Sequence, residues 1–495
     1  MKRFKPNIVI ICLDAVRSQN LSFYGYQRNT TPFLSSIEKD LALYENAVSS
    51  TYWTMPSIAS LFTGMYTSGH GLVVDGDKLS PSLQTLPKIL RQHGYRCGAF
   101  VRNVYVSEYS GLDRDFDDFY STFVLDSLKK IASAISKRGV SRLQPPGINR
   151  LCDQVSSDGN RFKEYIANMA ARSIDMLFDT GAGRFVKDFS GWVKQNRSNP
   201  FFAYFHFLET HTPYRAPLKF AFEFLSLRDS IKKISINHDH LKFLLGECDM
   251  TPQDFDILRS AYDNSICYVD HLIGKIVRLL QTNGVYDNTL VVVLADHGDN
   301  IGDHGLMFHY SCLYDTLIKI PLLVKFPAHI GLTGKISQVV QNVDIFPTIL
   351  SLLGIKDTAV WDQIQGNDML GVAAPRREQD LAVSELVKAF GPDRAQYREQ
   401  LSRFDRRLLS VRTRNRKFIH SSRGDHECYD LAKDPAEMHN LYLDDGFSDL
   451  MAKASKYYAR MDDFYKSHRE KIDGVVDDSN IDEFMVEQLK ALGYM

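Results

Sequence analysis

The 495 residues are 44% hydrophobic and 24% charged, enough apolar material for a large core, expected as one big domain with a smaller companion. Lys plus Arg total 59 against 60 Asp plus Glu, so nothing in the charge favours nucleic acid, and a charged substrate has to be captured locally. Seven cysteines (Cys12, Cys97, Cys152, Cys248, Cys267, Cys312, Cys428) are odd in number and lack a C-x-x-C pair. That pattern argues against a disulfide framework or a cysteine zinc site and reads as buried thiols in a reducing, cytoplasmic compartment.

The first segment, "MKRFKPNIVIICLDAV", has a basic end and an apolar run. The run is short, reaches Asp14 at once and has no small-residue cleavage site, so residues 7–13 are predicted to be a core strand. "SSTYWTMPSIASLFTG", residues 49–64, passes from a hydroxyl-rich turn into an apolar stretch. Pro56 suits the first turn of a helix, which puts Thr54 at the N-terminus, either as an N-cap or facing an anion. Residues 121–199, with "SLKKIASAISKRGVSRLQPPG", read as an insertion that covers the site. "PFFAYFHFLE" (200–209), "TLVVVLAD" (289–296) and "LIKIPLLVKF" (317–326) are continuous apolar runs, as in strands buried on both faces.

Between those strands, Phe255, Leu258, Tyr262, Ile266, Val269, Ile273, Ile276 and Leu280 recur at steps of three and four and stop before Gly284, which predicts a long helix. From about 380 the pattern changes to short strands ("RLLSVRTRNRKFIHSS", "ECYDL") and then helices near 447–466 and 481–491. The expected organisation is residues 1–375 as an α/β domain with a large mixed, mostly parallel sheet between helices, and 376–495 as a small α+β subdomain. No internal repeat and no run long enough to span a membrane is found. Ligands in such sheets gather at the carboxyl ends of strands, where Asp14 and Asp296 stand.

"LADHGDNIGDHG" places Asp296 and His297 together at a strand end, with Gly298 allowing a tight turn. A carboxylate and an imidazole leaving one strand can bind a divalent ion. Asp14, on a strand expected to be adjacent, adds a second carboxylate, and Thr54 a hydroxyl that the ion would activate as a nucleophile.

At this point the blocks "NIVIICLDAVRSQNLSFYGY", "TMPSIASLFTG", "FHFLETHTPY", "ADHGDNIGDHGLMFH" and "LYDTLIKIPLLV" resemble, in order, those of the sulfatase family of the alkaline phosphatase superfamily. "VDIFPTILSLLG", "YDLAKDPAEMHNL" and "LKALGYM" extend the likeness over nearly the whole chain. The resemblance implies a metal-dependent hydrolase or transferase of sulfate or phosphate esters, working through a covalent intermediate at position 54. There are departures. The C/S-x-P-x-R frame reads Thr54, Met55, Pro56, Ser57, Ile58, and threonine cannot become the formylglycine aldehyde. A Thr54 adduct has to be cleared by water at the esterified centre. Ala15 stands where many sulfatases have a second aspartate, and His297 where calcium-dependent members have asparagine, which favours Mn2+ or Zn2+ over Ca2+ or Mg2+. The family's G-K-W-H block is replaced by "GAFVRNVYV", with Arg102 and Asn103.

His211, in "ETHTPY", matches the family histidine that contacts the transferring group or protonates the leaving oxygen; His309 stands where many relatives have a lysine. An alternative gives Glu209, His211 and His309 a second metal. His206 is expected to support the site from the core, and Arg17 either binds an anion or pairs with a nearby aspartate. The expected activity is hydrolysis of sulfate or phosphate/phosphonate (di)esters by Thr54, with one divalent ion held by Asp14, Thr54, Asp296 and His297. The other readings are transfer of a phospho-alcohol group to a glycan or lipid, and a non-catalytic binding protein that keeps the fold. The expected partner is an anionic ester, free or linked to a glycan or lipid, with no nucleic acid.

Overall fold

A computed structural model describes residues 5–121, 181–236, 240–309, 312–389 and 399–473. The apolar runs form strands β1 (Asn7–Leu13), β2 (Ala42–Val48), β3 (Arg96–Val101), β4 (Asp118–Ser121), β5 (Phe201–Phe207), β6 (Thr289–Ala295), β7 (Asn300–Ile301), β8 (Met307–Phe308), β9 (Leu322–Lys325) and β10 (Gly334–Gln341). Eight of them make one sheet in the order β10-β2-β9-β6-β1-β5-β3-β4, parallel except for β9, which runs against β6 and β2. β7 and β8 form a separate antiparallel pair. β1, β5 and β6 are buried along their whole length, as continuous apolar sequence requires for central strands covered on both faces.

Of the strand expected over 317–326, Leu322–Lys325 is the strand proper, and Lys319 makes a single antiparallel bridge to Val48. Asp315–Ile318 is a helical turn, and its carbonyls serve the site: Ser49 N–H donates to Ile318 O (2.7 Å) and Gly298 N–H to Leu317 O (2.7 Å).

The helices that matter here are α1 (Thr54–Thr63), α2 (Ala182–Asn196), α3 (Pro252–Thr282) and α4 (Ser448–Asp473). α3 starts in a capping box made by Thr251 and Asp254, with Pro252 at its first position, and buries the predicted stripe from Leu258 to Leu280. α2 lies inside the segment read as an insertion, and it is core: Phe185, Phe189, Trp192 and Val193 are buried against the sheet. Gly98 of β3 makes room for it, since a Cβ there would lie 2.7 Å from the Trp192 indole. The insertion reading therefore fails for 182–196, because a basic approach sequence hid an amphipathic helix; residues 122–180 lie outside the described residues.

The C-terminal part is the antiparallel sheet β11 (Ala382–Leu386), β12 (Leu408–Arg412), β13 (Arg416–Ser421) and β14 (Glu427–Asp430), with α4 packed across it. It has its own apolar cluster, including Leu409, Val411, Phe418, Leu450, Ala454 and Met461. Buried ion pairs join it to the turn beside the site: Asp315 meets Arg412 and Lys417 at 3.0 Å each, and Lys417 meets Glu437 at 2.6 Å. The helix expected at 481–491 lies outside the described residues. Among the described residues no helix is long and apolar enough to cross a membrane, and the six cysteines are free thiols.

Candidate active site and metal centre

β1 and β6 are parallel neighbours with Leu13 opposite Ala295, so the next residues, Asp14 and Asp296, leave the sheet side by side. Both are buried. Ala15 takes a left-handed φ of 58°, and its N–H donates to Asp296 Oδ1 (3.1 Å), as does the N–H of His297 (2.9 Å). Tyr262 of α3 fixes this turn: its hydroxyl donates to Ala15 O (2.7 Å) and accepts from Arg17 N–H (3.0 Å). After His297 only glycine fits, because a Cβ on residue 298 would stand 2.0 Å from the Thr316 carbonyl oxygen.

Thr54 is the first helical residue of α1, not its N-cap; Trp53 holds the cap position without a side-chain bond. The N-cap reading is thereby corrected, and the hydroxyl is left for other contacts. Thr54 Oγ1 lies 3.2 Å from His297 Nε2 and 3.5 Å from Asn103 Nδ2. The helix end is pinned to the β6 loop, since Ser49 Oγ and Ser57 Oγ both donate to Asp296 O (2.6 and 2.8 Å). Asn342 Nδ2 in turn donates to Ser57 Oγ (2.9 Å).

Which nitrogen of His297 carries the proton follows from its neighbours. Nδ1 faces Gly298 O at 2.7 Å and must donate there, which leaves a lone pair on Nε2. That lone pair points toward Asp14 Oδ1 (3.9 Å) and Asp296 Oδ2 (3.5 Å), two buried oxygens with no hydrogen-bond partner. Ligand atoms of Asp14, Asp296 and His297 all lie within 4.8 Å of one another. The Thr54 hydroxyl can donate to the imidazole lone pair, but two buried carboxylate oxygens without a partner beside it are costly unless a cation sits among them, so the donor set fits a divalent ion. The carboxyls behave as a competing pair. Burial pushes Asp296 up, aided by the Asp14 charge, whereas Asp14 is held well below the carboxylate range because the hydrogen bond and charge of His206 outweigh its burial.

Cys12, His206 and Asp296 are also closely spaced. His206, however, commits its Nε2 proton to Asp14 Oδ2 (3.0 Å) and turns Nδ1 to the Tyr204 hydroxyl (2.9 Å), while burial pushes the Cys12 thiol up. This set therefore orients Asp14 and lacks the free lone pairs of a ligand cluster. Asn103 does the same from the other side, donating to Asp14 Oδ2 at 2.6 Å. Sequence reading offered Asn103, with Arg102, only as a replacement within the family's G-K-W-H block, without a contact to Asp14; its signal was its position in the block after β3.

His211 and His309 meet, with their Nε2 atoms 3.3 Å apart, and the His309 ring centre is 4.5 Å from that of His297. Burial, reinforced by His297 and His211, holds His309 well below the ordinary imidazole range, so it is neutral. Glu209 does not join them in a metal cluster: it pairs with Arg102 (2.6 Å) and accepts from Ala182 N–H (3.1 Å) at the start of α2. Among the described residues the second-metal alternative thus lacks its carboxylate. Arg17 pairs with Asp303 (2.7 Å) and donates to Asn20 (2.5 Å), which commits it to the loop.

The mostly parallel sheet brings two carboxylates and an imidazole from adjacent strands to a hydroxyl at a helix end, and the family model that matches most of the chain makes it an ester hydrolase of the alkaline phosphatase superfamily. Within it, the chain belongs to the sulfatase family, whose profile matches residues 6–355; one described as N-sulphoglucosamine sulphohydrolase, C-terminal, matches residues 302–463. Relatives include an arylsulfatase of Clostridium perfringens, 23% identical over 88% of this chain and 90% of the relative. An N-acetylglucosamine-6-O-sulfatase of Bacteroides thetaiotaomicron is 23% identical over 88% of this chain and 83% of its own. In fold, the chain is similar to the phosphonate monoester hydrolase of Agrobacterium radiobacter, with a TM-score of 0.69 at 20% identity, covering 93% of this chain and 96% of that one.

Proposed function

We propose that this sulfatase-type hydrolase cleaves sulfate or phosphate/phosphonate esters with Thr54 as the nucleophile, and that it depends on one divalent ion held by Asp14, Thr54, Asp296 and His297. The observation that carries this reading is the lone pair on His297 Nε2, which faces two unpartnered carboxylate oxygens and the Thr54 hydroxyl. One nitrogen and few oxygens favour Mn2+ or Zn2+. Such an ion, when bound, lowers the pKa of the Thr54 hydroxyl and offsets the charge of the ester.

The chain's own groups account for the rest. Asn103 and His206 fix Asp14 Oδ2 from two sides, so that Oδ1 faces the site. The first N–H groups of α1 offer donors to the ester's non-bridging oxygens. Thr54 Oγ1, its hydroxyl proton released to solvent, forms the new bond to phosphorus or sulfur while the bond from that centre to the ester oxygen breaks. The N–H shared between His211 and His309 is available as a hydrogen-bond donor to that oxygen, which takes its proton from solvent; since His309 is neutral, it does not serve as an imidazolium acid. Water then breaks the Thr54 adduct at the esterified centre, which favours phosphorus, because threonine lacks the second hydroxyl through which a sulfated gem-diol collapses.

Thr54→Ala is expected to abolish turnover of nitrophenyl sulfate, phosphate and phosphodiester esters with the fold retained. Intact mass of the native chain with a slow substrate is expected to reveal the adduct on Thr54. Retained turnover in the variant would remove the nucleophile assignment.

A further inference from the structure

Among the described residues, six that are not glycine take a left-handed φ, and three of them stand beside groups of the site. Ala15 (58°) follows Asp14, Phe308 (68°) precedes His309, and Tyr214 (49°) closes the turn that begins at His211. A bulky side chain in that region is strained, and such strain persists only where the surroundings over-determine the backbone. Tyr214 is held from four directions. Its N–H donates to His211 O (3.0 Å), and its carbonyl accepts from Lys233 Nζ of the helix Leu227–Ser235. Its ring packs edge-on against Tyr262, with centres 5.2 Å apart, and its hydroxyl donates to Asp299 Oδ2 (2.6 Å).

The last two contacts reach both halves of the metal centre. Tyr262 is the residue whose hydroxyl fixes the turn after Asp14. Asp299 is buried two positions beyond His297, in a loop that Arg17 braces by donating to Asp299 O (3.2 Å). At the start of the turn, His211 Nδ1 faces Thr212 O (2.9 Å) and donates there, so its Nε2 lone pair meets His309 Nε2, 3.3 Å away. The N–H between the two rings is therefore carried by His309, and the position of His211 decides where it points. Phe308 supports the same ring from the other side: it stacks on His309 with centres 4.0 Å apart, and its carbonyl accepts from Asn300 Nδ2 (2.9 Å).

We propose that Tyr214 is a positioning residue: its left-handed backbone and its hydrogen bond to Asp299 lock the His211 turn to the loop carrying His297, and so hold the His309 N–H at the oxygen that leaves. The clause on the leaving oxygen rests on the function proposed above; the lock does not. Misplacing such a donor by about 1 Å costs on the order of 10²-fold in rate.

The test is Tyr214→Phe, which removes one oxygen and keeps the ring against Tyr262. At saturating Mn2+, kcat for a phenyl ester is expected to fall on the order of 10²-fold, because its leaving oxygen is basic and needs the donor. For the corresponding nitrophenyl ester the fall is expected to be less than about threefold, with KM within about twofold for both. A role in folding alone lowers both esters alike. A second readout does not depend on turnover: carbethoxylation of His211 by diethyl pyrocarbonate, located by peptide mass spectrometry, is expected to be several-fold faster in Tyr214→Phe. His70, buried elsewhere, stays unmodified in both proteins if the fold is intact. Because Tyr214→Phe leaves the Asp299 carboxylate without its donor, the companion variant is Tyr214→Phe with Asp299→Asn, expected to keep the altered leaving-group dependence and the fast labelling. Native kinetics in Tyr214→Phe, an equal loss on both esters, or a double variant that regains native kinetics and labelling overturns the proposal. If the native chain turns over no ester, the function proposed above fails and labelling alone decides the lock: His211 labelled no faster in Tyr214→Phe overturns it.

Discussion

Replacing Asp296 with asparagine is expected to change stability in opposite directions with and without metal. Asp14 and Asp296 offer oxygens within 4.8 Å of each other, and each carboxylate has one buried oxygen without a hydrogen-bond partner. At an effective dielectric constant of about 20, two full charges at that distance repel by about 3 kcal/mol. The amide introduced by Asp296→Asn would keep an oxygen as the acceptor for Ala15 and His297 N–H and place a donor, in the position of the unpartnered Oδ2, facing His297 Nε2. In chelator, Asp296→Asn is therefore expected to be more stable than the native chain, on the order of 1–3 kcal/mol. In Mn2+ or Zn2+ at about a thousand times Kd, the native chain gains about 4.1 kcal/mol and the order reverses. The gap in chelator should widen with rising pH. Burial raises the folded Asp296 carboxyl above its unfolded value, so native stability is lost as pH rises toward the folded value, and asparagine has no such loss. Denaturant unfolding of both proteins in the two buffers measures this directly. A variant less stable in both buffers, or a native chain indifferent to chelator, would refute the shared-ion reasoning.

Two further outcomes follow from the packing. Gly298→Ala is expected to remove metal binding and turnover, because its Cβ meets the Thr316 carbonyl and the loop carrying His297 has to move; metal content after gel filtration measures it, and a full complement of metal would contradict the geometry. His70 is buried and neutral, with Nδ1 accepting from Leu72 N–H (3.2 Å) and Nε2 facing Ser60 Oγ (3.1 Å), and burial lowers its pKa to about 3. Below the unfolded value of about 6.5 the unfolded chain binds one more proton, so this residue takes away about 1.4 kcal/mol of stability per pH unit on acidification. His70→Gln is expected to flatten that part of a urea-unfolding pH profile, and an identical slope in the variant would remove the assignment.

What could be read from the sequence divides along a physical line. β1, β5 and β6 were legible because strands buried on both faces must be continuously apolar, and the closeness of Asp14 to Asp296 follows once those strands are parallel neighbours. β2 and β10 were not, because Glu45 and Asn46 interrupt one, and the other starts exposed at the sheet edge. α3 announced itself by its stripe, whereas α2 followed a basic segment that masked it. The residues around the site separate in the same way. Acidic side chains at strand ends are visible in a list of letters; the proton on His297 is not, since a carbonyl of the next residue determines it, across a turn that only Gly298 permits. Nor can Thr54 be told from an N-cap by composition, because both roles ask for a small hydroxyl residue before an apolar helix; a one-residue shift of the helix start decides between them. Periodicity reports which side chains leave water. The chemistry depends on which lone pairs remain after every other hydrogen bond has been made, and here those bonds come from Tyr262, Asn103 and His206, each far in sequence from the group it orients.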